Sequence, residues 1–279
     1  MERRSRFSET DASAATSEYR TPEEYSELIK TLRAFTGIVL YGFLDDRAML
    51  RERIIRNFIA RGQTCLESIE ALWYLQHYQD CYSLYRSLLD RLLYLDVLDR
   101  DDSFGQFDDW SFMEQFRIAN YARCHLEFKG RPGVHVFSDA EKERYKALSA
   151  GRAPRWNRPN AECVAKAMGL DFLYHLGYAH ASQHVHPMAN DGQEDFERIA
   201  LLRKDPMFDQ RSVLNNAVLV HLLLTQKGLN ASGAHWRTLI YTFIEDCVDF
   251  LKTGAQRYQV TFMKIGMQGP HFSWAKWDD

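Results

Sequence analysis

The sequence contains few residues that interrupt helices, with 7 prolines and 15 glycines among 279 residues. The intervals between them carry apolar residues at helical spacing, and almost no segment shows the alternation that is typical of a strand. This scarcity of turn residues excludes a fold built from many short strands and predicts an all-α protein. Because no internal repeat or linker divides the core, we expect one multi-helix bundle of about eight to nine helices.

Paired cysteines and long apolar runs are also absent. The five cysteines are odd in number and widely spaced, with no Cys-x-x-Cys pair, which is typical of free thiols in a reducing compartment. The longest apolar runs are shorter than the roughly 20 residues of a membrane span. The first 20 residues have no apolar core that would make them a signal peptide. We therefore expect a cytoplasmic protein that does not bind membranes.

The charges nearly balance, with a formal net charge of −3. No global field attracts the protein to nucleic acid, so a polyanion site would have to be a local basic patch. Capping boxes at Thr21 and Ser138 predict two helix starts. We expect a disordered tail at residues 1–20, a helical bundle domain at residues 21–253 and an aromatic tail at residues 254–279.

The segment "YAHASQHVHP", residues 178–187, concentrates three histidines before a proline. In a regular helix the side chains of Tyr174, Tyr178, Ser182 and His186 would share one ridge, because they are spaced four apart. Histidine is the side chain best suited to act as acid or base near neutral pH. A catalytic role for His186 with Ser182 and Tyr178 beside it is one interpretation, and a polar helix end is the other.

A second pair in the same segment, His180 and His184, lies on a different face of a regular helix. The spacing matches the zinc-binding His-Glu-x-x-His motif, but Ala181 stands where that motif has glutamate. We therefore expect no metal and no other cofactor, and we keep a metal-dependent bundle enzyme as a third alternative.

A possible partner for the histidine segment is the helix "CYSLYRSLLDRLLYLDVL". Arg86 and Asp90 are spaced four apart there and can pair along the helix. Such a pair is typical of a solvated face, where it contributes little to stability. Tyr82 and Tyr85 beside it indicate partial burial, so a site role stays open.

The motifs "RSLLD", from Arg86 to Asp90, and "SQHVHP", from Ser182 to Pro187, resemble those of a widespread bacterial family of helical proteins of unknown function. That family has an Arg-x3-acid motif, usually with glutamate where this chain has Asp90, and a Ser-x3-His-Pro motif. The resemblance covers roughly Arg51 to Pro187.

The chain more weakly resembles the HEPN superfamily of all-α proteins, which includes many defence and toxin ribonucleases. Their signature is an arginine and a histidine with four to six residues between them, near a helix end. Aligning His186 with that histidine puts Ala181 at the arginine position, so Arg86 would have to supply the guanidinium. The resemblance implies an HEPN-like core, a homodimer and a partner protein in a defence or toxin system.

These features together predict an RNA-cleaving effector of bacterial stress or phage defence that needs no metal ion. His186 would be the base and Arg86 the cation, with Ser182, Asp90 and Tyr178 orienting them. The alternative is a non-catalytic sensor or partner-binding module that uses the same polar pocket. Basic and aromatic side chains before and within the histidine segment would bind single-stranded RNA: Arg152, Arg155, Trp156, Arg158 and Tyr174. The alternative is that the arginines belong to an ordinary solvated loop.

Overall fold

The computed structural model describes residues 19–44, 49–133, 135–151, 156–183, 185–186, 189, 192–201, 210–233 and 238–267. These residues form eleven α-helices and one π-helix, and no strand occurs among them, which confirms the predicted all-α class. The expected eight to nine helices were too few, because connecting segments contain short helices of their own. The α-helices are α1 (Pro22–Tyr41), α2 (Leu50–Tyr74), α3 (Tyr78–Arg100), α4 (Phe104–Cys124), α5 (Asp139–Ala150), α6 (Ala161–Ala167), α7 (Ala179–Gln183), α8 (Gln193–Ile199), α9 (Arg211–Ala231), α10 (Thr238–Thr253) and α11 (Arg257–Met267), and the π-helix is Leu173–Tyr178.

Both predicted capping boxes are present. The Thr21 hydroxyl accepts from the backbone N–H of Glu24 at 3.2 Å, and the Glu24 carboxylate accepts from the Thr21 N–H at 2.8 Å. Ser138 and Glu141 make the same reciprocal contacts at the start of α5. There the hydrogen bonds from Ser138 lower the pKa of Glu141 to about 2. Each box satisfies amide groups that the first helical turn leaves unpaired.

The core of the molecule lies where α2, α3 and α9 pack against one another. Gly62 of α2 faces α9 so closely that an added Cβ atom would lie 2.8 Å from Leu224 Cδ2. A larger residue at this position would have to displace the side chains of Leu224, His221 and Leu88. Helix α1 packs against α2 and α9, and α10 packs against α9.

The predicted boundary at residue 253 was wrong, because α11 continues the bundle within the stretch assigned to a tail. Its side chains Tyr258, Thr261 and Ile265 are buried, and the Tyr258 ring packs edge-on against Phe250 of α10 at 5.1 Å. Residues spaced at i, i+3 and i+7 form one face of a helix, and this face covers α10 and α1.

Of the tails predicted at residues 1–20 and 254–279, residues 1–18 and 268–279 lie outside the described residues. Within the part of the chain that the structure describes, no helix combines the length and the apolar character needed to cross a membrane.

Helix α3 connects the core to the candidate site. Its buried side chains Tyr85, Leu88, Leu89 and Leu92 belong to the main core. Along another side of the same helix, α3 contacts α6, the π-helix and α7. The sequence segment with the histidines is therefore held directly against the helix that carries the Arg-x3-acid motif.

Candidate functional site

The histidine segment is not one regular helix. A π-helix at Leu173–Tyr178 is followed by a short α-helix that ends at Gln183, so His186 lies beyond the helix. The His186 backbone N–H still donates to the Ser182 carbonyl at 3.3 Å. The predicted regular helix up to His186 was therefore wrong, although the final turn keeps the chain close to α7.

The π-helix approaches α3 at Gly177. A Cβ atom at this glycine would lie 2.7 Å from the Tyr85 hydroxyl and 3.2 Å from Tyr85 Cε1. Tyr85 is buried, its hydroxyl has no hydrogen-bond partner among the described residues, and desolvation raises its pKa. Ala181 of α7 is also fully buried. The position that the HEPN alignment gives to arginine thus faces the core.

Arg86 lies at the centre of the candidate site. Its Nη1 atom is 3.5 Å from His186 Nε2, at the long limit of a hydrogen bond, and its Nη2 donates to the Tyr178 hydroxyl at 3.4 Å. The guanidinium also lies over the Tyr178 ring, 5.0 Å from its centroid. The fold therefore brings Arg86, Tyr178 and His186 into one cluster, in which His186 is exposed and Arg86 and Tyr178 are half-buried. Their catalytic roles stay a prediction.

Asp90 lies half-buried one turn after Arg86 on α3. Desolvation raises the pKa of Asp90, while a hydrogen bond from Tyr178 and the charges of Arg86 and Arg158 act in the opposite direction. Burial likewise raises the pKa of Tyr178, and its hydrogen bond with Arg86 opposes that shift. Asp90 is consequently an acidic group behind the Arg86–Tyr178 pair, and three arginines are close enough to lower its pKa: Arg86, Arg158 and Arg91.

Two residues predicted beside His186 have structural contacts instead. The Ser182 hydroxyl donates to the Tyr178 carbonyl of its own helix at 2.7 Å, so its side chain does not orient the imidazole. The Tyr174 ring stacks on Tyr178 with 5.8 Å between centroids and packs against a small apolar cluster that includes Leu93 and Val164. Tyr174 therefore supports Tyr178 rather than offering an open ring to a substrate.

The predicted aromatic platform at Trp156 was wrong, because Trp156 is only 6% exposed. Its ring packs against Tyr94, Phe107 and Trp110. Arg158 is exposed, and its guanidinium lies over the Trp110 ring at 5.8 Å. The positive charge of Arg158 acts to lower the pKa of Asp90. Of this segment, Arg158 alone among the described residues reaches the site, while Arg152 and Arg155 lie outside the described residues.

The alternative metal pair is described only in part. His180 is exposed, and its ring meets Tyr82 edge-on at 4.8 Å, whereas His184 lies outside the described residues. Among the described residues, no group of three or more histidine, cysteine, aspartate or glutamate side chains could hold a metal ion.

Tyr94 is a neighbour of the site that the sequence analysis missed. It continues the spacing of four from Arg86 and Asp90 along α3, and the Asp90 charge helps to raise its pKa, after desolvation. Its ring contacts Trp156 at 5.2 Å. The spacing alone could have identified it, because residues four apart share one helix face.

Comparison with known proteins gives one match. The model of a family of unknown function, DUF5677, matches residues 52–198, which is more than half of the chain. No curated protein matches the sequence, and no solved structure matches it. The matched range includes both motifs, from the Arg86–Asp90 turn to the segment that ends with His186.

Proposed function

The chain belongs to the DUF5677 family, whose function is unknown, and on that premise we propose that it cleaves RNA with Arg86 and His186. The observation that carries the proposal is the distance of 3.5 Å between Arg86 Nη1 and His186 Nε2 at an exposed position. A cation and an imidazole at this separation are within reach of the same phosphodiester. The setting that fits such an activity is bacterial stress or phage defence, through a core related to HEPN proteins.

The reaction follows from the two groups. His186 accepts the proton of a ribose 2′-hydroxyl, and the 2′-oxygen attacks the adjacent phosphorus. The bond from phosphorus to the 5′-oxygen breaks, giving a 2′,3′-cyclic phosphate and a 5′-hydroxyl that takes its proton from His186 or water. Arg86 stabilises the charge that develops on the phosphate oxygens. A guanidinium suits this task because its N–H groups match the geometry of a phosphate.

The neighbours of Arg86 prepare it for that role. Tyr178 holds the guanidinium through its hydroxyl and its ring, and Asp90 supplies a nearby negative charge that its partial burial makes more effective. Arg158 adds a second exposed cation near the same carboxyl group. Tyr178, Asp90 and Arg158 are therefore positioning and binding groups in this proposal.

The test is cleavage of end-labelled single-stranded RNA by the full chain and by two histidine variants. We expect His186→Ala to lower the rate by at least a hundredfold, since general-base catalysis contributes 10²–10⁴-fold. The matched control His180→Ala, at an exposed histidine of the same segment, is expected to keep the rate within twofold. RNA with 2′-O-methyl groups should not be cut, because it has no nucleophile. Equal products from wild type and His186→Ala, or no product from either, would refute the proposal.

A second candidate is a non-catalytic module that binds an anion at Arg86. It is favoured by the Ser182 hydroxyl, which donates to the carbonyl of Tyr178 in its own helix and not to His186. The same experiment separates the two functions. RNA that is bound by wild type, released intact and bound more weakly by Arg86→Ala would support the module.

A further inference from the structure

The carboxyl-terminal end of α4 carries a row of aromatic rings on the surface. Tyr121 and His125 lie 5.5 Å apart between centroids, and His125 and Phe128 lie 5.6 Å apart. Tyr121 is 67% exposed and Phe128 is 43% exposed. Large rings in contact with water offer flat apolar faces that the fold has not covered.

Cations surround this row. The positively charged side chains Arg123, Lys129 and Arg131 are exposed. The Arg131 guanidinium lies over the Phe128 ring at 6.0 Å, whereas the Arg123 guanidinium lies over the Phe137 ring at 5.7 Å, beside the row. None of the three has an ion pair with a carboxylate of the described residues. The only acidic residue between Tyr121 and Arg131 is Glu127, although the whole chain has a net charge of −3. The surface is thus a local basic patch on an acidic protein.

Hydrogen-bonded turns fix the part of the row that follows the helix. The backbone N–H groups of Phe128 and Lys129 both donate to the His125 carbonyl, at 3.0 and 2.9 Å, and the Arg131 N–H donates to the Phe128 carbonyl at 3.0 Å. These turns fix the backbone positions from which the His125 and Phe128 rings project. Little conformational entropy would then be lost when a ligand binds.

The helix beneath the row is anchored as well. The Phe116 ring of α4 stacks between Phe137 and Tyr145, with centroids 4.0 and 4.1 Å apart. Arg144 of α5 binds both Asp108 and Asp109 of α4, each at 2.7 Å. These contacts hold α4 and α5 together. The exposed rings at the end of α4 are not part of the contacts between the two helices.

We propose that the surface formed by Tyr121, Arg123, His125, Phe128, Lys129 and Arg131, the α4-end surface, binds single-stranded RNA. Successive bases stack on the exposed rings, and the cations contact the phosphates between them. The inference rests on the proposed function, because it names the surface that would hold the RNA substrate. It also replaces the platform expected at Trp156, which is buried.

A second copy of the chain is a less suitable occupant. A two-fold symmetric contact places the same patch of each copy against itself. The cations Arg123, Lys129 and Arg131 would then oppose their own equivalents, with Glu127 as the only acidic group within the same stretch. Like charges brought together at an interface are unfavourable, whereas a phosphate backbone neutralises them.

The test is fluorescence anisotropy of a labelled single-stranded RNA with full chain that carries His186→Ala, so that binding is measured without cleavage. We expect Tyr121→Ser with Phe128→Ser to weaken binding at least tenfold, since stacking of a base on an aromatic side chain has a large effect on affinity. Replacing Arg123, Lys129 and Arg131 with glutamine should weaken binding and also reduce its dependence on salt concentration. Tyr41→Ser, at an exposed tyrosine of α1, is the matched control and should bind like the parent.

The outcomes distinguish this inference from the proposed function. If the α4-end variants bind RNA as tightly as the parent, or if a duplex of the same sequence binds equally well, the inference is wrong. A dimer in analytical ultracentrifugation that Tyr121→Ser with Phe128→Ser dissociates would instead identify the surface as a contact between copies. Binding that depends on these residues in a protein that never cuts RNA would refute the proposed function alone. Cleavage that depends on His186, with binding insensitive to the surface, would refute this inference alone.

Discussion

At the scale of single residues, the close contact between Gly177 and Tyr85 sets how near the histidine segment can lie to α3. The Tyr85 hydroxyl is 2.7 Å from the place where a Cβ atom of residue 177 would be. Real side chains do not reach this distance, so any larger residue must displace the ring or the π-helix. Because Tyr85 is enclosed by the core, the π-helix would move more easily than the ring. That movement would shift Tyr178 relative to Arg86.

We therefore predict that Gly177→Ala lowers the free energy of unfolding by about 1–3 kcal/mol, as overpacking of a tight core does. Urea denaturation followed by circular dichroism measures the change. Tyr85→Phe removes the hydroxyl that meets the new methyl group and should restore part of the loss in the double variant. Tyr85→Phe alone should be neutral or stabilising, since the hydroxyl has no partner among the described residues. Losses that simply add in the double variant would contradict this explanation.

At the scale of elements, the two capping boxes start helices that differ in what they bury. Helix α1 buries seven side chains, including Tyr25, Leu28 and Phe35, whereas α5 buries none. The local capping geometry is the same in both helices. A comparison of the two helices therefore distinguishes the effect of a cap on the stability of its own helix from its effect on the stability of the whole protein.

We predict that Thr21→Ala lowers global stability by about 1 kcal/mol, the usual effect of losing a capping side chain. The equivalent change Ser138→Ala should leave the global denaturation midpoint nearly unchanged and instead speed hydrogen exchange within α5, because that helix can open by itself. Urea titration and amide exchange check the two results. Equal shifts of the global midpoint would show that α5 is as tightly coupled to the core as α1.

The sequence was sufficient for the features that depend on local patterns. Both capping boxes and the all-α class could be predicted from residue types and spacing, whereas the pairing of the Arg86 helix with the His186 segment was suggested by the family resemblance. Trp156 was wrongly predicted to be exposed because it lies among three arginines in the sequence. Its burial depends instead on contacts with rings that are distant in the sequence, such as Phe107. The π-helix was missed because its turn is wider than the 3.6-residue period on which a helix prediction from the sequence depends. Helix α11 has a clear apolar face, but it was overlooked beside the aromatic residues that follow it.

At the scale of the whole molecule, one buried polar network joins three helices. The Thr36 hydroxyl of α1 donates to Gln63 Oε1 of α2 at 3.1 Å and lies 3.2 Å from His221 Nε2 of α9. The hydroxyl must then accept from His221, so Nε2 carries the proton. The other ring nitrogen, Nδ1, is buried without a partner among the described residues. Burial accordingly lowers the pKa of His221 from 6.5 to about 4.

The lowered pKa makes global stability depend on pH. The unfolded chain takes up a proton at His221 near pH 6.5, before the folded chain does, so the contribution is complete above pH 6.5 and is lost as the pH falls toward 4. Relative to His221→Leu, which cannot titrate, the wild type should lose about 2 kcal/mol between pH 7.5 and pH 5. Urea denaturation at the two pH values measures this difference. Parallel pH profiles for the two proteins would show that His221 has no role in the dependence.

The π-helix at Leu173–Tyr178 has a consequence for which side chains can lie beside Arg86. A π turn closes its hydrogen bonds over five residues instead of four, so it accommodates one residue more than an α-helical turn. That extra residue is taken up inside the turn. If the same residues wound as a regular α-helix instead, everything after them would rotate by about 100° around the helix axis. Tyr178 and His186 would then turn away from Arg86 without any change in their identity. The π turn is therefore part of what keeps Tyr178 and His186 beside Arg86.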